Sequence, residues 1–505
     1  MAMIATIARK EFIELIRDGR FRWTAAIVLG LLVTALMAGG YYQRDLITQQ
    51  RAAQAADQAR WYAQAPKNPH SAAHYGLYAF KPRFAPAFLD PGVEPYTGIA
   101  VWLEAHKQNE LMFRPSEDAT IAQRFGDMTV ALVLQIVLPL AVIMLGFNAF
   151  AGERERGTLR QLLSLGLRPR DLVIGKMSGF TAAVAFIAAP AALLGAATLA
   201  LIGPAGGELR FALLAIAYVL YLGIFLLLTL AVSARAPSSR FALVILLAFW
   251  AVNCLLAPRL VSDFAAERHP LPEGVSFKAR LQAALHDPAG TSAMMKARTA
   301  ALFKQYGVTR EQDLPANLAG LSLQVGEEHG YEVFEKFYNE LYAPMVAQNR
   351  LLQRAAAFFP QLGIQAISMG LAGTDLAQHR DFTRAAEEHR RVELKIINDD
   401  ILQHPVKAGD VHLGDRELWA KVPAFHYQAP SIGWVLSNHS LTLVLLLLWF
   451  GFAACLAWTG AARLTPLRYF HVQDRLSVGA SGAATGSRIL GSADFRNCRT
   501  WLRAR

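Results

Sequence analysis

Two uninterrupted apolar runs, residues 128–151 and 177–202, bracket a charged segment, residues 152–176, and this arrangement leaves few ways to fold the chain. A helix needs roughly 20 apolar residues to cross a hydrocarbon core about 30 Å thick. Each run is therefore long enough to span a membrane, and the segment between them is a loop held at one membrane face. Arg154, Arg156, Arg160, Arg168, Arg170 and Lys176 crowd that loop. An excess of Lys and Arg in short loops marks the cytoplasmic side, which predicts a cytoplasmic segment.

Composition agrees. At 505 residues, the chain is 54% hydrophobic, too apolar for an ordinary soluble protein, yet its 18% charged content is too high for a chain made only of spans. The expectation is a membrane protein with sizeable aqueous parts. The formal charge of +11 does not point to nucleic acid, because Lys and Arg cluster beside the apolar runs and near the C-terminus. Cys254 and Cys455 fall inside apolar runs and Cys498 in the tail, so no disulfide framework is expected in the aqueous parts.

Within residues 1–22, Ile4, Ile7, Ala8, Phe12, Leu15 and Ile16 recur at helical spacing opposite Arg9, Lys10, Glu14, Arg17 and Asp18. This predicts an amphipathic helix lying in the lipid interface. Residues 23–42 read as a retained first span rather than a signal peptide, whose apolar region is shorter and ends at a small-x-small site; Leu36 breaks such a site at Ala38. The remaining spans are expected at 128–151, 177–202, 211–233, 241–257 and 440–462. Pro139 and Pro190 predict bends packed inside a bundle, where neighbours satisfy the freed carbonyls.

With the N-terminus inside, residues 43–127 and 258–439 become extracytoplasmic loops. A tight outside turn is expected at 203–207 and an inside turn with Arg235 and Arg240 at 234–240. Apolar and charged residues alternate at spacings of three and four in 277–285, 331–352 and 375–402, the last with a capping start at Thr374 and Asp375. The two loops are expected to pack together as one mostly helical domain. Residues 463–505, Arg-rich and dominated by Gly, Ala and Ser over 478–494, read as a flexible cytoplasmic tail. The expected fold class is an all-α membrane protein with six transmembrane helices, an N-terminal interface helix and a mostly helical extracytoplasmic domain.

The chain lacks a Gly-x-x-x-x-Gly-Lys-Ser/Thr loop. The nearest candidate, Gly175-Lys176, has Arg170 in place of the first glycine and Met177 after the lysine. None of the expected spans carries Asp, Glu, Lys or Arg, the groups that ion-coupled carriers use. If the chain transports, its energy is expected from a separate subunit, with no cofactor or catalysis of its own.

Lys10-Glu11-Phe12 with Arg17-Asp18 stands before the first span. Glu153, Glu155 and Gly157-Thr158-Leu159, with Leu162-Leu163-Ser164 and Gly175-Lys176, stand after the second. Together these resemble the membrane subunits of ABC-2 type transporters. The resemblance implies that residues 152–176 form a coupling helix that docks on a cytoplasmic ABC ATPase, which binds the ATP and Mg. It further implies an exporter in the bacterial inner membrane, paired as a homodimer or as a heterodimer with a related permease. Asn68-Pro69-His70-Ser71-Ala72-Ala73-His74-Tyr75-Gly76, Trp102-Leu103-Glu104-Ala105-His106 and Leu371-Ala372-Gly373-Thr374-Asp375 resemble a subset of uncharacterised bacterial members with large outside loops. One departure is Gly166, which stands where that family usually has proline soon after Leu-Leu-Ser; here Pro169 comes later.

The coupling residues implied are Glu153, Glu155, Arg156, Gly157, Thr158, Arg160, Leu162, Leu163 and Lys176, with Lys10, Glu11, Phe12, Arg17 and Asp18 on the interface helix. Glu153, Glu155, Arg156 and Arg160 read as ATPase contacts that also set the loop's position, against a solvated loop with i,i+4 pairs. Gly157-Thr158 reads as a helix break and cap. Gln135, Asn148, Tyr218, Tyr221 and Asn253 are polar residues within spans, either lining a pathway or gluing helices together. His70, His74, Glu104 and His106, joined by Glu387 and His389, have the chemistry of metal ligands. Without a His-Glu-x-x-His motif they are read as scattered surface residues, and no metal site is assigned. A membrane-anchored enzyme using these outside histidines is the second functional class, and a sensor or assembly scaffold the third.

Overall fold

The computed structural model describes residues 2–117, 128–202, 207–406, 410–462 and 464. The expected turn at 203–207, apart from Gly207, and the expected tail at 463–505, apart from Leu464, lie outside the described residues.

Among the described residues, six helices are long and apolar enough to cross a membrane: Gly19–Tyr62, Val130–Glu155, Pro169–Ile202, Glu208–Arg235, Ser239–Arg268 and Ser440–Gly460. They fall on the six apolar runs, because only a helix satisfies every backbone group within its own segment in lipid. Their ends differ from those expected. The first span continues unbroken to Tyr62, a length of about 66 Å at 1.5 Å per residue, so the start of the first loop is an extension of the span. The fifth likewise runs past residue 257 to Arg268.

The fourth span is the hub of the bundle, touching the second, third, fifth and sixth. Tyr221, Ile224 and Phe225 on it are almost completely buried. Two π-helical turns, Val133–Val137 in the second span and Ala251–Leu256 in the fifth, are followed within two residues by Pro139 and Pro258. Proline has no N–H to give the carbonyl four residues back. For Pro139 that carbonyl is Gln135 O, and the Tyr221 hydroxyl donates to it at 2.8 Å. Pro190, by contrast, lies inside a continuous helix.

At the end of the bundle remote from residues 152–176, the two large insertions share a core. Trp61 packs edge-on against Trp419 at 5.9 Å between ring centroids, and its indole N–H donates to Trp419 O at 3.0 Å. Ala72, Ala73 and Ala105 from the first insertion meet Leu394, Ile397 and Leu418 from the second. A small antiparallel sheet adds to this domain, in the order β1 (Leu77–Phe80), β2 (Ala100–Glu104), β3 (Lys107–Gln108). Leu77 pairs with Leu103, and Glu104 with Lys107. Strands of two to five residues are too short to show a period of two against their surroundings, so sequence reading passes over them.

The helix Pro360–Ala372 is also new. Its 13 residues are too few to span, yet it is almost wholly buried against the fourth and sixth spans. It fastens the domain to the bundle.

Candidate functional site

The site is built where the interface helix, Ala2–Arg17, meets the start of the third span. Asp18 ends that helix and caps the first span, its carboxylate accepting from Arg20 N at 2.8 Å and pairing with the Arg20 guanidinium. The seat on the third span is made by two glycines one turn apart. A Cβ on Gly175 would lie 2.6 Å from Ile7 Cβ, and one on Gly179 would lie 2.7 Å from Glu11 Cβ. Small residues four apart allow helices this close approach. The Gly175-x-x-x-Gly179 spacing was the available signal, and attention to Gly175-Lys176 alone misses it.

Close approach brings Glu11 and Lys176 together in the interior. The Lys176 ammonium donates to Glu11 Oε1 at 2.7 Å and to Glu153 Oε1 at 2.8 Å, and all three side chains are buried. Lys10 approaches the same carboxylates from the rim, at 3.3 Å from Glu11 and 3.7 Å from Glu153. Burial pulls the Lys10 pKa down, but Glu11, Glu14 and Glu153 outweigh it and hold the pKa above the ordinary lysine value. Charge is thereby matched in a place where an unpaired ion would be costly.

The next two residues fasten the segment to two further spans. The Arg154 guanidinium donates to the carbonyls of Ser233, Ala234 and Ala236, at the C-terminal end of the fourth span. Glu155 accepts from Ser239 N at 2.8 Å and Ser239 Oγ at 2.7 Å, at the N-terminal end of the fifth. A cation at a helix C-terminus and an anion at an N-terminus both complement the macrodipole. Ser233 Oγ, buried, also accepts from the amides of Phe150 and Ala151. Neither serine stands out in the sequence, because its partner lies about eighty residues away.

Gly157 then breaks the chain direction in the left-handed conformation, at φ 76°, a geometry that glycine adopts without a Cβ penalty. Thr158 does not cap the following helix; its hydroxyl donates back to Glu153 O at 3.2 Å. The short helix Thr158–Ser164 turns Leu159 and Leu163 inward and leaves Arg160, Gln161 and Ser164 exposed, with Leu162 half-buried. Arg156 and Arg168 are exposed as well, and Leu165 projects with 82% of its surface accessible. Of the expected coupling residues, Glu153, Leu163 and Lys176 thus face the protein, while Arg156 and Arg160 face outward. On the interface helix Glu11 is buried, Phe12 half-buried, and Lys10 and Arg17 exposed.

Four of the five polar span residues come together elsewhere. Gln135 Nε2 donates to Tyr218 Oη at 3.0 Å, Tyr218 Oη lies 2.9 Å from Ser368 Oγ, and Tyr221 holds Gln135 O. Gln361 reaches Gln135 at 3.3 Å, and its N–H donates to Asn253 Oδ1 at 3.5 Å. All are buried, and Ser368 passes the network on to Asp90 in the domain. Asn148 stands apart from them, half-buried beside Gly152.

Two groups among the described residues have metal-ligand chemistry: His70, His74 and His106, and Asp400, His404 and His412. In the second, His412 Nε2 lies 2.6 Å from Asp400 Oδ2 and His404 Nδ1 lies 2.7 Å from Asp400 O, so its members satisfy one another. Glu104 does not join the first group, being held by Asn109 and Lys107, and His389 packs against Phe425.

Residues 5–294 match the family model described as ABC-2 family transporter protein. Residues 276–428 match a domain of unknown function, DUF3526. No curated protein matches the chain.

Proposed function

Because this chain belongs to the ABC-2 family of transporter proteins, a membership that makes it a multi-pass transport permease, we propose that it is the membrane subunit of an ATP-driven exporter worked by a separate ATPase. The ATPase docks on the outward face of residues 156–168. A second permease, identical or related, completes the complex. The basic loops favour the cytoplasm for this end, and on this reading the joint domain of the two insertions stands outside.

The observation that carries the reading is the run Glu153-Arg154-Glu155. Its side chains are tied to the third, fourth and fifth spans respectively, and through Lys176 to the interface helix. A push on the segment is therefore delivered to three spans at once, where a solvated loop would absorb it. The exposed Leu165, flanked by Arg160 and Arg168, offers an apolar contact within a basic rim, and arginine is among the residues enriched where interfaces concentrate their binding energy.

The test is coexpression with the partner ATPase, followed by copurification and measurement of ATP hydrolysis. Leu165→Asp combined with Arg160→Glu is expected to lower ATPase recovery about tenfold or more, since about 1.4 kcal/mol at an interface is a factor of ten. Yield of the inserted permease should not change, as both side chains are exposed. Undiminished recovery and hydrolysis would refute the docking face.

A further inference from the structure

We propose that His70, His74 and His106 bind one divalent transition-metal ion of the zinc class through their Nε2 atoms, leaving a coordination position open to solvent. The site is independent of the ATPase reading, and no family description assigns it.

Two separate backbone elements bring these rings together. His70 and His74 are one turn apart on the helix Pro69–Tyr75, so they share a face. His106 occupies the two-residue turn between β2 and β3 and holds φ at 64°, an uncommon conformation for a residue with a Cβ. His70 Nε2 lies 3.1 Å from His74 Nε2 and 3.2 Å from His106 Nε2, and each of the three rings offers a nitrogen within 4.8 Å of the others. Ligands at 2.0–2.1 Å from a tetrahedral zinc are about 3.3 Å apart, so the spacing is that of neighbouring ligands.

Hydrogen bonding at His106 settles which nitrogen is offered. Glu327 Oε1 accepts from His106 N at 2.7 Å and lies 2.8 Å from His106 Nδ1. A carboxylate only accepts, so Nδ1 carries the proton and the neutral ring presents a bare Nε2. Glu327 is itself fixed by Arg390, Nη1 to Oε2 at 3.1 Å, and both are buried. A carboxylate behind a ligating histidine is the usual support for a metal-bound imidazole.

Hydrogen bonds among the rings alone do not account for the cluster. If His70 donates Nε2–H to His106, that nitrogen has no lone pair left for His74 at 3.1 Å. A single cation satisfies all three Nε2 atoms, with the proton of the neutral His70 ring on its buried Nδ1. Imidazole ligands suit zinc, copper and nickel rather than calcium or magnesium. His74 and His106 are exposed, which leaves the remaining position to water or to a donor from a bound molecule. Histidines from the ABC-2 stretch and a supporting carboxylate from the second matched stretch would be held by one ion.

The test is titration of the full-length protein, purified in detergent and stripped with a chelator, with Co²⁺ alone. One equivalent is expected to bind with the visible absorption of four-coordinate cobalt, and Zn²⁺ should bleach it. His74→Ala and His106→Ala, both at exposed side chains, should each weaken Co²⁺ binding at least about tenfold, and Glu327→Gln by about 10–100-fold. His74→Gln serves as the milder variant, and thermal unfolding of the metal-free histidine variants at the wild-type midpoint confirms folding. His412→Ala should bind as wild type does. An absence of saturable binding, binding that survives both alanine variants, or binding lost on His412→Ala would overturn the proposal.

Discussion

Lys176 and Glu153, at opposite ends of the charged segment, meet at 2.8 Å with the lysine 1% and the glutamate 5% exposed. The same ammonium holds Glu11 at 2.7 Å. One buried cation thus closes the segment onto itself and onto the interface helix.

Replacing Lys176 with Met leaves Glu11 and Glu153 facing each other with Lys10, at the rim, as their remaining partner among the described residues. Breaking a buried ion pair by removing one partner costs about 3–5 kcal/mol. The expected result is an interface helix that protease removes quickly and a complex that hydrolyses ATP without transport. Adding Glu153→Gln to Lys176→Met should recover part of the loss, because one of the stranded charges is gone. Equal protease resistance in wild type and the single variant would show that the triad is not structural.

Gly175→Val and Gly179→Val should lift the interface helix off the third span. Even a Cβ comes within 2.6–2.7 Å of the helix, and a branched side chain cannot give way. Protease is expected to remove the interface helix quickly from either valine variant and slowly from wild type; equal resistance would contradict the packing.

Stability of the domain should depend on pH through Glu393. Both its carboxylate oxygens are buried without a partner. Burial pushes its pKa up to about 8, with Asp57 adding to the rise and Arg390 opposing it. The folded state therefore holds this proton more tightly than the unfolded chain, so the contribution to stability is full below the ordinary value of 4.5 and is lost as pH rises toward about 8. Glu393→Gln removes the titration. Its melting temperature is expected to exceed wild type at pH of about 8.5 and to approach it at pH of about 5; a difference that does not change with pH would rule out Glu393 as the cause.

Tyr218→Phe separates glue from pathway. The hydroxyl stands between Gln135 Nε2 and Ser368 Oγ, and leaving a buried donor unsatisfied costs about 1–3 kcal/mol. The expectation is a lower melting temperature with unchanged transport per folded molecule. Altered substrate export at wild-type stability would instead assign Tyr218 to a pathway.

What the sequence by itself determined follows from solvent. Lipid demands long apolar helices, so six spans were legible from composition along the chain, and so was the segment between residues 151 and 177. Local chemistry was legible too: Asp375 caps the helix that follows it, as short-range polar contacts do, whereas Asp18, expected on the interface helix, caps the first span instead. The direction in which each charge on the segment points was decided by tertiary structure. Glu153 and Glu155 lie two residues apart and look alike in the sequence, yet one is buried on Lys176 and the other lies exposed on Ser239. Partners 23 and 84 residues distant choose between them. The same holds for the histidines. His70 and His74 are neighbours by helical spacing, but the third nitrogen and the carboxylate that orients it come from residues 106 and 327. The packing of the two insertions brings them together, and no local pattern records a contact over that distance.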